Sequence, residues 1–189
     1  MKIGWLHDGK NQTKWNWLAG HQKSTVGYHW YLTDAPAPPQ GGTGIHTSLT
    51  NNYRNAIADA ARILTQNGVT VHFTDVVPNI TSRNRAPNML PTPWTQNALN
   101  AFTGCDAVLL DPDIGIATSA TPKSAHALAG EIVAFSAQIP EVAIFQHTDR
   151  RGPATQQSAI ARCLGPLLPP HRTITFGRVS DQSYLVFIK

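Results

Sequence analysis

The sequence predicts an α/β fold: a mainly parallel central sheet flanked by helices in three α/β/α layers and finished by a C-terminal antiparallel hairpin. Three observations carry this. Apolar runs of strand length alternate with segments whose apolar residues recur at helical spacing. The buried runs end in clusters of Asp, Gly, Pro or His, as strands do where they open into loops. The last two runs, Thr173 to Arg178 and Ser183 to Ile188, have only a short connection and pair as a hairpin at the end of a strand-helix series.

Taken in order, Met1 to His7 is a short strand ending at Asp8-Gly9-Lys10-Asn11, followed by a helix-compatible segment with Lys14, Trp15, Trp17 and Leu18. Val26 to Thr33 is aromatic and partly alternating, and Asp34 to Gly44 is a loop rich in Pro and Gly. Asn52 to Asn67 is a helix, because Tyr53, Ile57, Ala60, Ala61 and Leu64 share a face and Gly68 stops it. Val69 to Val77 is a strand that delivers Asp75 near its end, and Pro78 to Pro93 is a long polar loop. Thr95 to Phe102 is helical. The run from Asp106 to Leu110 is a buried strand that stops on Asp111-Pro112-Asp113, where proline fixes the backbone between two carboxylates. Ser124 to Gln138 is an amphipathic helix with Leu128, Ile132 and Phe135 inward. Glu141 to Phe145 is a strand leading into Gln146-His147-Thr148-Asp149-Arg150-Arg151-Gly152, and Ala154 to Leu164 is the last helix.

Composition bounds the rest. With 189 residues and 41% hydrophobic content, the chain supports one core and is read as a single domain over residues 1–189. Lys and Arg number 15 against 11 Asp and Glu, and the sequence pI is about 9.3. Such a balance permits nucleic-acid binding without demanding it. Cys105 and Cys163 lie in apolar surroundings and suit buried thiols in a reducing compartment. No run reaches membrane-spanning length and the first residues lack a signal-peptide core, so a cytoplasmic monomer is expected.

Parallel strands end along one rim, which would gather Asp8, Asp75, Asp111, Asp113 and His147. Three chemistries use such a rim. Asp8, Asp111 and Asp113 are a ligand set for divalent-metal hydrolysis of phosphodiesters. Methyl transfer is suggested by the helix-strand-helix-hairpin ending, and Asp111-Pro112-Asp113 partly resembles the Asp-Pro-Pro-aromatic motif of amino-methylating, Rossmann-like methyltransferases. The glycine-rich turn of a nucleotide cofactor is missing after the first strand, and Gly41-Gly42-Thr43-Gly44 follows no fingerprint strand, so no cofactor is expected. The third chemistry is hydrolysis of an N-glycosidic bond, which needs a carboxylate beside an oxocarbenium-like sugar and a donor for the departing base.

For this last chemistry, Asp111-Pro112-Asp113 after a strand and His147 before Arg150 and Arg151 resemble the two functional loops of the uracil-DNA glycosylase superfamily. That resemblance implies an α/β/α sandwich, Asp111 (or Asp113) as the acid that orients water, and His147 as its partner in a loop beside the DNA. The pattern departs from the family at Leu109 and Leu110, where Gln and Gly are usual, at Asp113 in place of an aromatic, and at Thr148 and Asp149 after His147. An altered base pocket follows as an expectation, suited to a bulky modified cytosine of the kind some phages carry, for example glucosylated hydroxymethylcytosine, with a role in antiviral defence. Trp30-Tyr31-Leu32-Thr33, Leu110 to Gly115 and Gln146-His147 also resemble a scattered set of bacterial proteins of unsettled activity over residues 26–152.

The expected partner is DNA with a base flipped out of the stack. Trp30, Tyr31, Trp94 and Tyr28 offer rings for stacking. Asp8, Lys10, Arg83, Asn84, Arg85, Gln146, Arg150 and Arg151 are assigned to base or phosphate contact, and no metal is required. Lys14 and Glu131 are expected on solvated helix surfaces.

Overall fold

The structure is a computed structural model that describes residues 14, 17, 18, 20, 25–31, 62, 65, 66, 68–73, 90–123, 125–180 and 182–189. Asp8, Lys10, Asp75, Arg83, Asn84 and Arg85 lie outside the described residues, as do the expected first strand and the loop from Asp34 to Gly44.

Among the described residues, the strands are β1 (Val26–Trp30), β2 (Val69–Phe73), β3 (Ala107–Asp111), β4 (Gly115–Ile116), β5 (His126–Ala127), β6 (Glu141–His147), β7 (Ile174–Ser180) and β8 (Ser183–Ile188). Six of them form one sheet in the order β2-β1-β3-β6-β8-β7. The first four are mutually parallel, while β8 runs antiparallel to both β6 and β7. The expected mainly parallel sheet with a terminal hairpin is therefore present, and the hairpin enters the sheet by its second strand. β4 and β5 make a separate two-stranded parallel ribbon.

Among the described residues, the helices α1 (Pro93–Ala101), α2 (Ala129–Gln138) and α3 (Pro153–Leu164) cover one face. Trp94, Ala98 and Leu99, Ile132 and Phe135, and Ile160 and Leu164 pack there against Val108, Leu110, Val142, Ile144 and Val186. On the other face the helical residue Leu18, with Trp17 against it, packs on Val26, Tyr28, Trp30, Leu109, Ala143, Phe145 and Leu185. Alternate residues of β3 and β6 thus feed two cores, the pattern of strands covered on both sides.

Several boundaries differ from the sequence reading. α2 starts at Ala129, five residues after Ser124, because His126 and Ala127 pair with Gly115 and Ile116 instead. β6 continues through Gln146 and His147, since Gln146 pairs with Tyr184 and His147 with Ser183. α1 begins at Pro93, where proline needs no donor and the Thr92 hydroxyl accepts the Thr95 N–H at 3.3 Å.

Candidate functional site at the strand ends

β3 leaves the sheet through Asp111, Pro112 and Asp113, and β6 through His147 to Arg151, so both loops lie at the carboxyl ends of adjacent parallel strands. The neighbour of β1 on one side is β2 and on the other is β3, so the strand order reverses between β1 and β3. Open α/β sheets bind ligands at such a reversal.

Asp111 is 1% exposed. Its Oδ1 lies 2.6 Å from Lys14 Nζ, and its Oδ2 accepts the Tyr28 hydroxyl at 2.6 Å. Burial alone would raise this carboxyl; the Lys14 charge and the hydrogen bonds from Lys14 and Tyr28 outweigh it and hold the group below the usual carboxylate range. The Lys14 ammonium also sits 4.1 Å from the Phe145 ring centroid, and Phe145 meets the His147 ring edge-on at 4.9 Å. Asp111, Phe145 and His147 therefore share the face of the sheet on which Lys14 lies.

Lys14, expected on the surface, is buried. Its spacing to Trp17 and Leu18 puts it on their helical face, a signal that was available in the sequence. Asp113 and His147 are half-buried, and Arg150 and Arg151 are exposed. Asp149 accepts Arg151 Nε at 2.9 Å and its own carboxyl is held low by that hydrogen bond.

The stacking assignment is corrected for all four rings. Tyr28, Trp30 and Tyr31 have no exposed surface, because alternate positions along a central strand and its extension point into one core or the other, and Trp94, on the inner face of α1, is only 6% exposed. Glu131 is also buried: its Oε2 accepts the Leu128 N–H at 3.0 Å and the Tyr31 hydroxyl at 3.3 Å, closing the first turn of α2.

Gln146 is 2% exposed and joins the two loops. Its Oε1 accepts the Ile116 N–H at 2.7 Å, and its Nε2 donates to the His147 carbonyl at 2.9 Å. Gln156 Nε2 donates to the same carbonyl at 2.9 Å, and the Tyr184 hydroxyl donates to Gln156 Oε1 at 3.0 Å. Gln156 and Tyr184 carry no local sequence signal, since nothing nearby marks a helix glutamine as the partner of a strand end.

Among the described residues, no three His, Cys, Asp or Glu side chains are grouped to hold a metal ion, and no helix is long and apolar enough to cross a membrane.

The chain is thus an α/β protein whose sheet reverses its order beside an Asp-Pro-Asp loop. No family model and no curated protein matches the sequence. Among solved structures, it is similar to the S-adenosylmethionine-dependent methyltransferase SibL in its apo form, with 11% identity and a TM-score of 0.45 over 98% of this chain and 55% of that one. It is also similar to EvdMO1 (9% identity, TM-score 0.39, 96% of this chain and 40% of that one) and to the METTL16 methyltransferase domain (13%, 0.34, 94% and 79%). The chain spans about half the length or less of SibL and EvdMO1. Likeness at this level carries no argument about activity, and the strand order rests on the pairings alone.

The sequence after β1 carries no glycine-rich turn of the kind that cradles a nucleotide cofactor. A nucleotide cradle needs glycine there to let the backbone approach the ligand. Here Tyr31 follows the strand, fully buried, with Leu32-Thr33-Asp34 behind it.

Proposed function

We propose that this chain is a nucleic-acid-binding protein built on a Rossmann-like, methyltransferase-related sheet, which engages its ligand along the carboxyl ends of β3 and β6. The observation that carries the reading is the strand order, whose reversal sits beside Asp111-Pro112-Asp113. The basic balance of the chain and the exposed Arg150 in the neighbouring loop supply the charge for phosphate contact. Asp111 serves the scaffold, its charge balanced by Lys14 inside the protein.

A second reading, hydrolysis of an N-glycosidic bond in DNA, is favoured by the Gln146 bridge, which brings the Asp113 and His147 loops together. In this reading Asp113 orients water and balances the sugar cation, while His147 assists departure of the base. Asp113 takes the role in preference to Asp111 because it is half-buried at the rim, whereas Asp111 is fully buried. The base would be a modified cytosine of phage DNA, and the role antiviral.

Incubation of the protein with modified and unmodified phage DNA, with and without chelator, separates the readings. Retarded but chemically unchanged DNA supports the binding protein. Alkali-labile sites that persist in chelator support the glycosylase, with loss of activity in Asp113→Ala. Strand breaks abolished by chelator would replace both with a metal-dependent nuclease, and absence of any retention would sink the nucleic-acid reading.

A further inference from the structure

We propose that Gln146 and Gln156 are a pair of positioning residues that set the His147 loop against the Asp113 loop, and that Gln146 does not itself read a base. The inference rests on the rim being the ligand site, as proposed above, and replaces the base contact expected of Gln146 from the sequence.

The geometry leaves the Gln146 amide little else to do. Its oxygen accepts the N–H of Ile116, three residues beyond Asp113, and its nitrogen donates to the carbonyl of the adjacent His147. With 2% exposure it is out of reach of a base edge. Gly115, at φ 103°, presses its Cα side against this amide: a Cβ there would fall inside the van der Waals surface of the Gln146 side chain. The Asp-Pro-Asp loop and the glutamine therefore fit only as a unit.

The His147 carbonyl receives two side-chain donors, from Gln146 on its own strand and Gln156 on α3. The other end of the same peptide is held as well, Thr148 N–H donating to the Gln182 carbonyl at 2.9 Å. Tyr184, whose hydroxyl donates to Gln156 Oε1, closes the chain of contacts. Strand, helix and hairpin thus converge on one peptide group. What they fix is the backbone from which the His147 ring projects, edge-on to Phe145.

The test uses the full chain with isotope-labelled histidine. In Gln146→Leu and in Gln156→Leu, the ring resonances of His147 in the free protein shift from their wild-type positions. Affinity for a set of duplexes of different sequence falls by a common factor, on the order of fivefold or more. Unchanged His147 resonances in both variants would overturn the proposal. So would a Gln146→Leu variant that loses affinity for some sequences only, since that marks direct base reading. Should the variants not fold, hydrogen exchange in the wild type decides: an Ile116 amide that exchanges as fast as an exposed loop amide is incompatible with the bridge, and a protected one supports it. If the wild type retains no nucleic acid, the functional reading fails while the His147 resonances and Ile116 exchange still judge the positioning pair.

Discussion

At Asp111 a carboxylate, an ammonium and a phenol are buried together, and the energetics are asymmetric. Two charges removed from water roughly balance their desolvation when well paired, but removing one partner strands the other. Asp111→Ala leaves the Lys14 ammonium buried without its counter-ion and is expected to lower the unfolding free energy by about 3–5 kcal/mol, read from urea denaturation. The double variant Asp111→Leu with Lys14→Met removes both charges and should recover most of that loss. Because the carboxyl titrates below its ordinary value in the folded protein, the unfolded chain takes up the proton first on acidification. The stabilisation is complete above the unfolded value of about 3.9 and is lost as pH falls through the folded one. Wild type and Asp111→Asn should therefore differ by a constant amount from neutral pH down to about 5 and converge below about 4. Convergence at neutral pH instead would show that the pair is not formed. Burial also raises both Cys105 and Cys163, so alkylation of each thiol at neutral pH should be slow in the folded protein and fast in denaturant.

At the scale of elements, what the sequence made legible depended on local patterns. β3, α1, α3 and the hairpin stand within a residue or two of where apolar runs, spacing and proline place them. The helix expected from Ser124 was too long, because the two-residue ribbon β4-β5 pairs positions eleven residues apart and leaves no periodicity in either segment. The burial of Lys14 was readable from its spacing to Trp17 and Leu18, but its partner Asp111, 97 positions away, was not. The Gln146 bridge was equally hidden, since it depends on the register that sets the loop after β3 beside the end of β6. Gly115→Ala tests that packing: with φ at 103° and the Gln146 amide in the way, it should destabilise by about 1–3 kcal/mol, checked by thermal unfolding. A smaller cost, about 1 kcal/mol, is expected for Thr92→Ala at the start of α1, where the hydroxyl accepts the Thr95 N–H.

For the whole molecule, the sheet order places the Asp-Pro-Asp and His147 loops on one rim and leaves the positive charge of Arg150 beside them. If this rim holds nucleic acid, Arg150→Ala should weaken binding about equally for all sequences and reduce the salt dependence of log affinity by about one phosphate contact. An unaltered salt slope would remove Arg150 from the interface. The fold class was legible because alternation of strands and helices is a global pattern, whereas the rim is built from side chains brought together from segments far apart in the sequence.

The placement of β8 between β6 and β7 also constrains how the protein is made. One flank of β6, with Val142, Ile144 and Phe145 along it, has no hydrogen-bonding neighbour until residues 183–188 arrive. During synthesis that apolar edge stays open after every other parallel strand is in place, a window in which pairing with another nascent chain competes with the hairpin.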